Sequence, residues 1–81
     1  MSEKMLEKIK SILKEIDVDM SMMKNTFSEE TKIQEDLGLM KDDLTEFVME
    51  VESQYNIEIE DEKLQSLKTI RDLMDLIKNS F

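Results

Sequence analysis

Apolar positions recur at three- and four-residue steps through the first sixteen residues, where Met5, Leu6, Ile9, Ile12, Leu13 and Ile16 stand among lysines and glutamates. The spacing predicts an amphipathic helix over roughly 3–16, with Ser2 as a candidate cap. Over 17–34 the period is lost, and Met20, Met22, Met23, Phe27 and Ile33 are scattered among Asp, Ser, Asn and Thr. A packed connection this long exceeds the usual ~4–6 residues, which marks it as a segment to examine for function. After Gly38, the single glycine, the pattern sharpens: Leu44, Phe47, Val48, Val51 and Tyr55 form one helical stripe. Asp43 followed by Glu46 predicts a capping box at its start, with Asp42 as a competing cap. Ile57 and Ile59 alternate with Glu58 and Glu60, but a lone strand has nothing to pair with, so an extended connection is expected. Leu64 and Leu67 predict a short helix near 61–66, and Ile70, Leu73, Met74 and Ile77 a last one near 69–79. The stripe of the second helix is expected to face Ile9, Leu13 and Ile16 of the first and Ile70, Leu73 and Ile77 of the last. The expected fold is all-α, a four-helix bundle of three main helices and a short third one, with a long first loop, as one domain over 1–81.

The chain has 81 residues, too few for a second independent core. It contains no proline to interrupt helices, and no cysteine, histidine or tryptophan. Disulfides, cysteine or histidine metal ligation and imidazole- or thiol-based nucleophilic catalysis are thereby excluded, so an enzyme is not expected. No apolar run approaches the ~20 residues of a membrane span, and no signal-peptide stretch opens the chain, so a cytoplasmic location is expected.

Net charge is −9, and its distribution is uneven. Residues 35–62 hold one basic against eleven acidic groups, whereas 63–81 hold four basic against two acidic. Nucleic acid is a poor partner for such a surface, since phosphate contacts need clustered lysine and arginine. Basic partners are favoured, although an acidic face kept for solubility is the simpler alternative.

Three constellations invite chemistry. A calcium loop starting at Asp17 has Asp19 and Ser21 in place, but Met22 stands where a glycine is needed and Ser28 where a bidentate glutamate is needed. That loop fails, and no metal is expected. Among the eight methionines, Met20, Met22, Met23, Met40, Met49 and Met74 could line an adaptable cavity, but filling irregular core gaps is the preferred explanation. Asp42 beside Asp43 could in principle do acid–base work; helix capping explains the pair better.

The run Thr31-Lys32-Ile33-Gln34-Glu35-Asp36-Leu37-Gly38-Leu39 resembles the acyl carrier protein family's loop ending in Glu-Asp-Leu-Gly. Without a gap, Glu46-Phe47-Val48-Met49, Glu52, Tyr55 and Glu58-Ile59-Glu60-Asp61 follow where that family has Glu-Leu-Val-Met, Glu, an aromatic and Glu-Ile-Pro-Asp. The resemblance implies the fold already read from the periodicity. It also implies a serine in Asp-Ser-Leu at the start of the second helix, to which phosphopantetheine is attached. In the ungapped register Met40-Lys41-Asp42 stands there, with Lys41 at the serine position. A register shifted by two offers Asp42-Asp43-Leu44, again without a hydroxyl.

Two readings follow from the resemblance. In one, the chain keeps the fold but carries no phosphopantetheine, and serves as an acidic docking module linked to acyl-chain biosynthesis. In the other, it is a working carrier of fatty acid or polyketide synthesis with an altered attachment site. Both flanks of Lys41 differ from the family tripeptide, which disfavours a single replacement and favours the first reading. The resemblance then implies docking through Asp42, Asp43, Glu46, Glu50 and Glu52, with Glu35 and Asp36 beside them. The implied partners are basic patches of synthases and transferases, met by a monomer with no bound cofactor. A stand-alone helical bundle, or a subunit of some other assembly, fits the composition equally well.

Overall fold

A computed structural model describes residues 2–18, 20 and 26–80. Four helices follow one another in that range: α1 (Ser2–Glu15), α2 (Lys41–Tyr55), α3 (Asp61–Leu64) and α4 (Ile70–Asn79). The expected all-α architecture is present, and among the described residues no strand forms. Ser2 is the first residue of α1 itself, so it does not precede the helix as a cap would.

Each helix ends where the chain takes up a left-handed or tightened turn. Asp17 has φ 62°, and behind it Val18 N donates to the Leu13 carbonyl at 3.0 Å while Asp17 N donates to the Lys14 carbonyl at 3.1 Å. This is a Schellman closure, with Val18 and Leu13 as its apolar pair. Asn56, with φ 56°, ends α2 in the same hand, and Ile57 N donates to the Glu52 carbonyl at 3.1 Å. Short polar side chains tolerate this conformation better than other non-glycine residues do. Gly38, at φ +67°, turns the chain into α2, and a Cβ there would meet nothing within 4 Å. Its requirement is conformational, not steric.

The long first connection is pinned to the start of α4. Ile33 N donates to the Lys68 carbonyl and Ile70 N to the Thr31 carbonyl, both at 2.9 Å, forming a one-residue antiparallel bridge between Lys32 and Thr69. Arg71 N adds a bond to the Glu29 carbonyl at 2.8 Å. Buried Thr31 is satisfied within the loop, its hydroxyl oxygen accepting from Ser28 N at 2.8 Å. The bridge seats Ile33 in the core, and Leu37 and Leu39 follow it in on either side of Gly38.

The core is continuous. Ile9, Ile12 and Leu13 of α1, Phe47, Val48 and Val51 of α2, and Ile70, Leu73, Met74 and Ile77 of α4 are all buried in it. Leu44, Tyr55 and Ile16, expected in the same interface, pack at its edge half-buried. Lys8 of α1 lies 4.6 Å above the Tyr55 ring, an added α1–α2 contact. The methionines divide: Met74 fills the core and Met20 packs against it, while Met40 and Met49 are exposed at 75% and 63%. Met22 and Met23 lie outside the described residues, as do Asp19 and Ser21 of the rejected calcium loop. No group of metal-ligating side chains occurs among the described residues.

The expected caps of α2 are corrected by the structure. Met40 is the N-cap, with no side-chain cap bond, and its carbonyl accepts from Leu44 N at 2.8 Å. The helix therefore starts at Lys41, and Asp42 and Asp43 fall inside its first turn, favourable to the helix dipole but not capping. Helix α3 is one turn, shorter than expected, because Ser66 N and Leu67 N bond three residues back and tighten its end. A capping box does occur, on α4. Asp72 N donates to Thr69 Oγ1 at 3.3 Å, and the Asp72 carboxylate accepts from Thr69 N at 3.1 Å and from Lys68 N at 3.0 Å.

Two outcomes test this packing. Phe47→Ala should cost about 3–5 kcal/mol in urea unfolding, whereas Met49→Ala should stay within about 0.5 kcal/mol. The backbone bonds from Lys68 and Thr69 hold the Asp72 carboxyl below its ordinary value of 3.8. Its contribution to stability is therefore fully present above that ordinary value and is lost as pH falls through the lowered folded value. Asp72→Asn should lower stability at neutral pH and flatten this acid-side decline, read as melting temperature against pH.

Candidate functional site

The start of α2 is where the sequence places the chemistry, and it is an open, charged corner of the molecule. Lys41 opens the helix at an exposed position, next to exposed Met40. A cation here opposes the helix dipole. Among the described residues no serine lies at this end of α2: Ser53 is near the far end of the helix, and Ser2, Ser11, Ser28, Ser66 and Ser80 belong to other segments, while Ser21 lies outside the described residues. The nearby hydroxyl is Thr45, one turn on, whose Oγ1 donates to the Lys41 carbonyl at 3.0 Å.

A groove of about 780 Å³ runs beside this corner, walled by α2, α3 and the first connection. Lys41, Leu44 and Thr45 line it from α2, which follows from their i, i+3, i+4 spacing. Leu64, Gln65, Leu67 and Lys68 line it from α3 and the segment after it, and Lys32, Gln34 and Glu35 from the loop. Asp61 completes the rim. The methionine-lined cavity weighed from the sequence is not this groove: no methionine among the described residues lines it.

The predicted docking acids are dispersed in their roles. Asp42, Asp43 and Glu46 are exposed on α2, and Glu50 is half-buried, with its carboxylate accepting from Gln54 Nε2 at 3.1 Å. Glu52 is engaged elsewhere: its carboxylate accepts from Ile59 N at 2.8 Å, holding the connection after α2 against the helix. The flanking acids are likewise in use. Glu35 pairs with Lys32 at 3.3 Å, and Asp36 accepts from Lys32 N at 2.8 Å, closing the turn before Gly38. What remains free on the outer face of α2 is Asp42, Asp43 and Glu46, with Met49 exposed among them.

Relatives of known kind agree with this architecture. The chain is 41% identical over 68 residues to an acyl carrier protein of Onion yellows phytoplasma, a match covering 84% of this chain and 86% of that one. The chain belongs to the acyl carrier protein family. An acyl carrier protein of Thermotoga maritima is 34% identical over 77 residues, covering 94% of this chain and 90% of the relative. A crystal structure of an acyl carrier protein from Thermotoga maritima superposes with a TM-score of 0.81 at 28% identity, covering 96% of this chain and 87% of that one. No protein-family model matches the chain. Proteins of the acyl carrier family are carriers, not enzymes, and the chain is carrier-like. Among the described residues no helix is long and apolar enough to cross a membrane.

Like charges stand one helical turn apart along α2. Asp42, Glu46 and Glu50 stand at successive i, i+4 positions, Asp43 is three residues before Glu46, and the last turn holds no basic residue. Each like-charge pair costs ~0.2–0.5 kcal/mol. Glu46→Gln should therefore stabilise the fold by about 0.5–1 kcal/mol at low salt, and the gain should vanish near about 1 M salt, where screening reaches ~3 Å. The melting temperature of the unaltered chain should rise with added salt over the same range; indifference to ionic strength would show that the acidic segment is unstrained.

Proposed function

We propose that the chain is a carrier-fold protein that does not take up phosphopantetheine and that acts as an acidic docking module for basic patches on synthases or transferases of acyl-chain biosynthesis. It works as a monomer in the cytoplasm. The observation that carries this reading is Lys41, an exposed ammonium at the first position of α2. A phosphodiester to pantetheine needs a hydroxyl oxygen, and an ammonium offers none. The residues at this corner therefore do not fit the group. Thr45 does not replace the serine, because its hydroxyl lies within the helix and is bonded to the Lys41 carbonyl. For docking, the support is the solvent-facing acids Asp42, Asp43 and Glu46, joined by half-buried Glu50. Glu35, Asp36 and Glu52 are engaged in the fold, but among the described residues Asp42, Asp43 and Glu46 make no side-chain bond or ion pair. Glu52 contributes to the fold of this surface, through Ile59 N, more than to its charge.

Incubation with coenzyme A and a broad-specificity phosphopantetheinyl transferase should leave the intact mass of the chain unchanged. Gain of a phosphopantetheine mass overturns the first half of the proposal. The variant Met40→Asp, Lys41→Ser, Asp42→Leu should gain that mass, because it restores the family tripeptide at the start of α2. Glu46→Lys and Glu50→Lys should each slow association with a verified basic partner and flatten its dependence on salt, since steering charges act mainly on the on-rate. Association rates unchanged by both reversals would reduce the acidic face to a solubility feature.

A further inference from the structure

The outer face of α2 carries one side chain that charge does not explain. Asp42, Glu46, Met49 and Ser53 stand at i, i+4, i+7 and i+11, so these four exposed residues share one line along the helix. Met49 is 63% exposed on that line, and Phe47, Val48 and Val51 of the same helix already fill the core, so the fold does not use it. A large apolar side chain amid acids suits a partner that buries an apolar group between its cations.

Methionine sulfur is also what a two-electron oxidant meets in this chain. The sequence has no cysteine, histidine or tryptophan, so a peroxide finds no thiol, imidazole or indole. Exposure then sorts the thioethers. Among the described residues Met74 is sealed in the core and Met5 and Met20 pack half-buried against it, whereas Met40 and Met49 lie open. Oxygen added at Met49 meets solvent and leaves the packing of α1, α2 and α4 intact. Met40 is equally open, but as the N-cap, nine residues before Met49, it stands off the line of Asp42 and Glu46.

We propose that Met49 is an oxidation switch on the docking face, its thioether holding a basic partner and its sulfoxide releasing it. The inference rests on the docking reading and names how that surface is regulated. A hydroperoxide transfers its terminal oxygen to Sδ: the S–O bond forms as the O–O bond breaks, sulfur loses two electrons, and the peroxide leaves as water or an alcohol. A methionine sulfoxide reductase, taking two electrons from a pair of thiols and releasing water, restores the thioether. The sulfoxide must be stripped of water to enter an interface, whereas the thioether gains by burial. Acids steer the encounter and act on the on-rate; loss of a buried apolar contact acts on the off-rate.

The test treats the full chain with hydrogen peroxide, maps each methionine by peptide mass, and follows binding to an immobilised broad-specificity phosphopantetheinyl transferase. Met40 and Met49 should oxidise about tenfold faster than Met74 or more. The oxidised chain should dissociate about tenfold faster, with its association rate and salt dependence unchanged. Met49→Leu should bind as the untreated chain does and ignore peroxide, whereas Met40→Leu should respond to it in full. Treatment with the reductase should return the original dissociation rate. Glu46→Lys separates the two readings, because it slows association of the unoxidised chain. No binding of the unoxidised chain, or binding indifferent to Glu46→Lys, removes the docking reading and the switch with it. Binding that depends on Glu46 but survives oxidation of Met49, binding that peroxide weakens equally in Met49→Leu, or a Met49 no more reactive than Met74 overturns the switch alone.

Discussion

Three backbone hydrogen bonds, from Ile33 to Lys68, from Ile70 to Thr31 and from Arg71 to Glu29, tie the long first connection to the start of α4. The described residues of the segment before α2 make no regular secondary structure of their own, so their position depends on this borrowed pairing. Once it is held, Ile33 enters the core, Leu37 and Leu39 follow, and Gly38 turns the chain so that α2 begins at Lys41. The same bridge brings Lys32 and Lys68 to one rim, although thirty-six positions separate them in sequence. Both the exposed helix start and the groove beside it are consequences of that attachment.

Charge is sorted by direction around α2. Its inner stripe is apolar, its outer face carries Asp42, Asp43 and Glu46, and the side toward α3 carries Lys41. Exposed ion pairs do little to balance the excess. Those among the described residues join Lys32 to Glu35 and Arg71 to Glu29 and Glu30, all at exposed or partly exposed positions. The acids of α2 therefore repel one another without nearby compensation, a cost that stability alone does not explain. The docking role proposed above gives it a reason.

Much of the fold was legible in the sequence because helices bury one stripe, and the stripes of α1, α2 and α4 repeat at helical spacing. Phe47, Val51, Ile70 and Ile77 stand in the core where that spacing put them. Helix ends were less legible. Asp17 and Asn56 close helices in left-handed conformations that their identities permit but do not require, and Asp42 and Asp43 have the composition of caps without the position. Thr69 with Asp72 is a capping box that the sequence spells out, Thr-x-x-Asp, just ahead of the apolar stripe of Ile70 and Leu73. The role of Glu52 could not be read at all, since its partner, Ile59 N, is reached only after the chain has turned past Asn56. The groove was hidden for the same reason: its walls come from segments that only the tertiary fold brings together.

In the proposed function, the start of α2 offers an ammonium, Lys41, where a carrier needs a hydroxyl. The most direct measurement is the intact mass of the protein purified from the cells that make it, where its own modifying enzymes have had access to it. The expected mass is that of the polypeptide, with no phosphopantetheine and no acyl-phosphopantetheine species. A population carrying that group on any residue of the chain would contradict it.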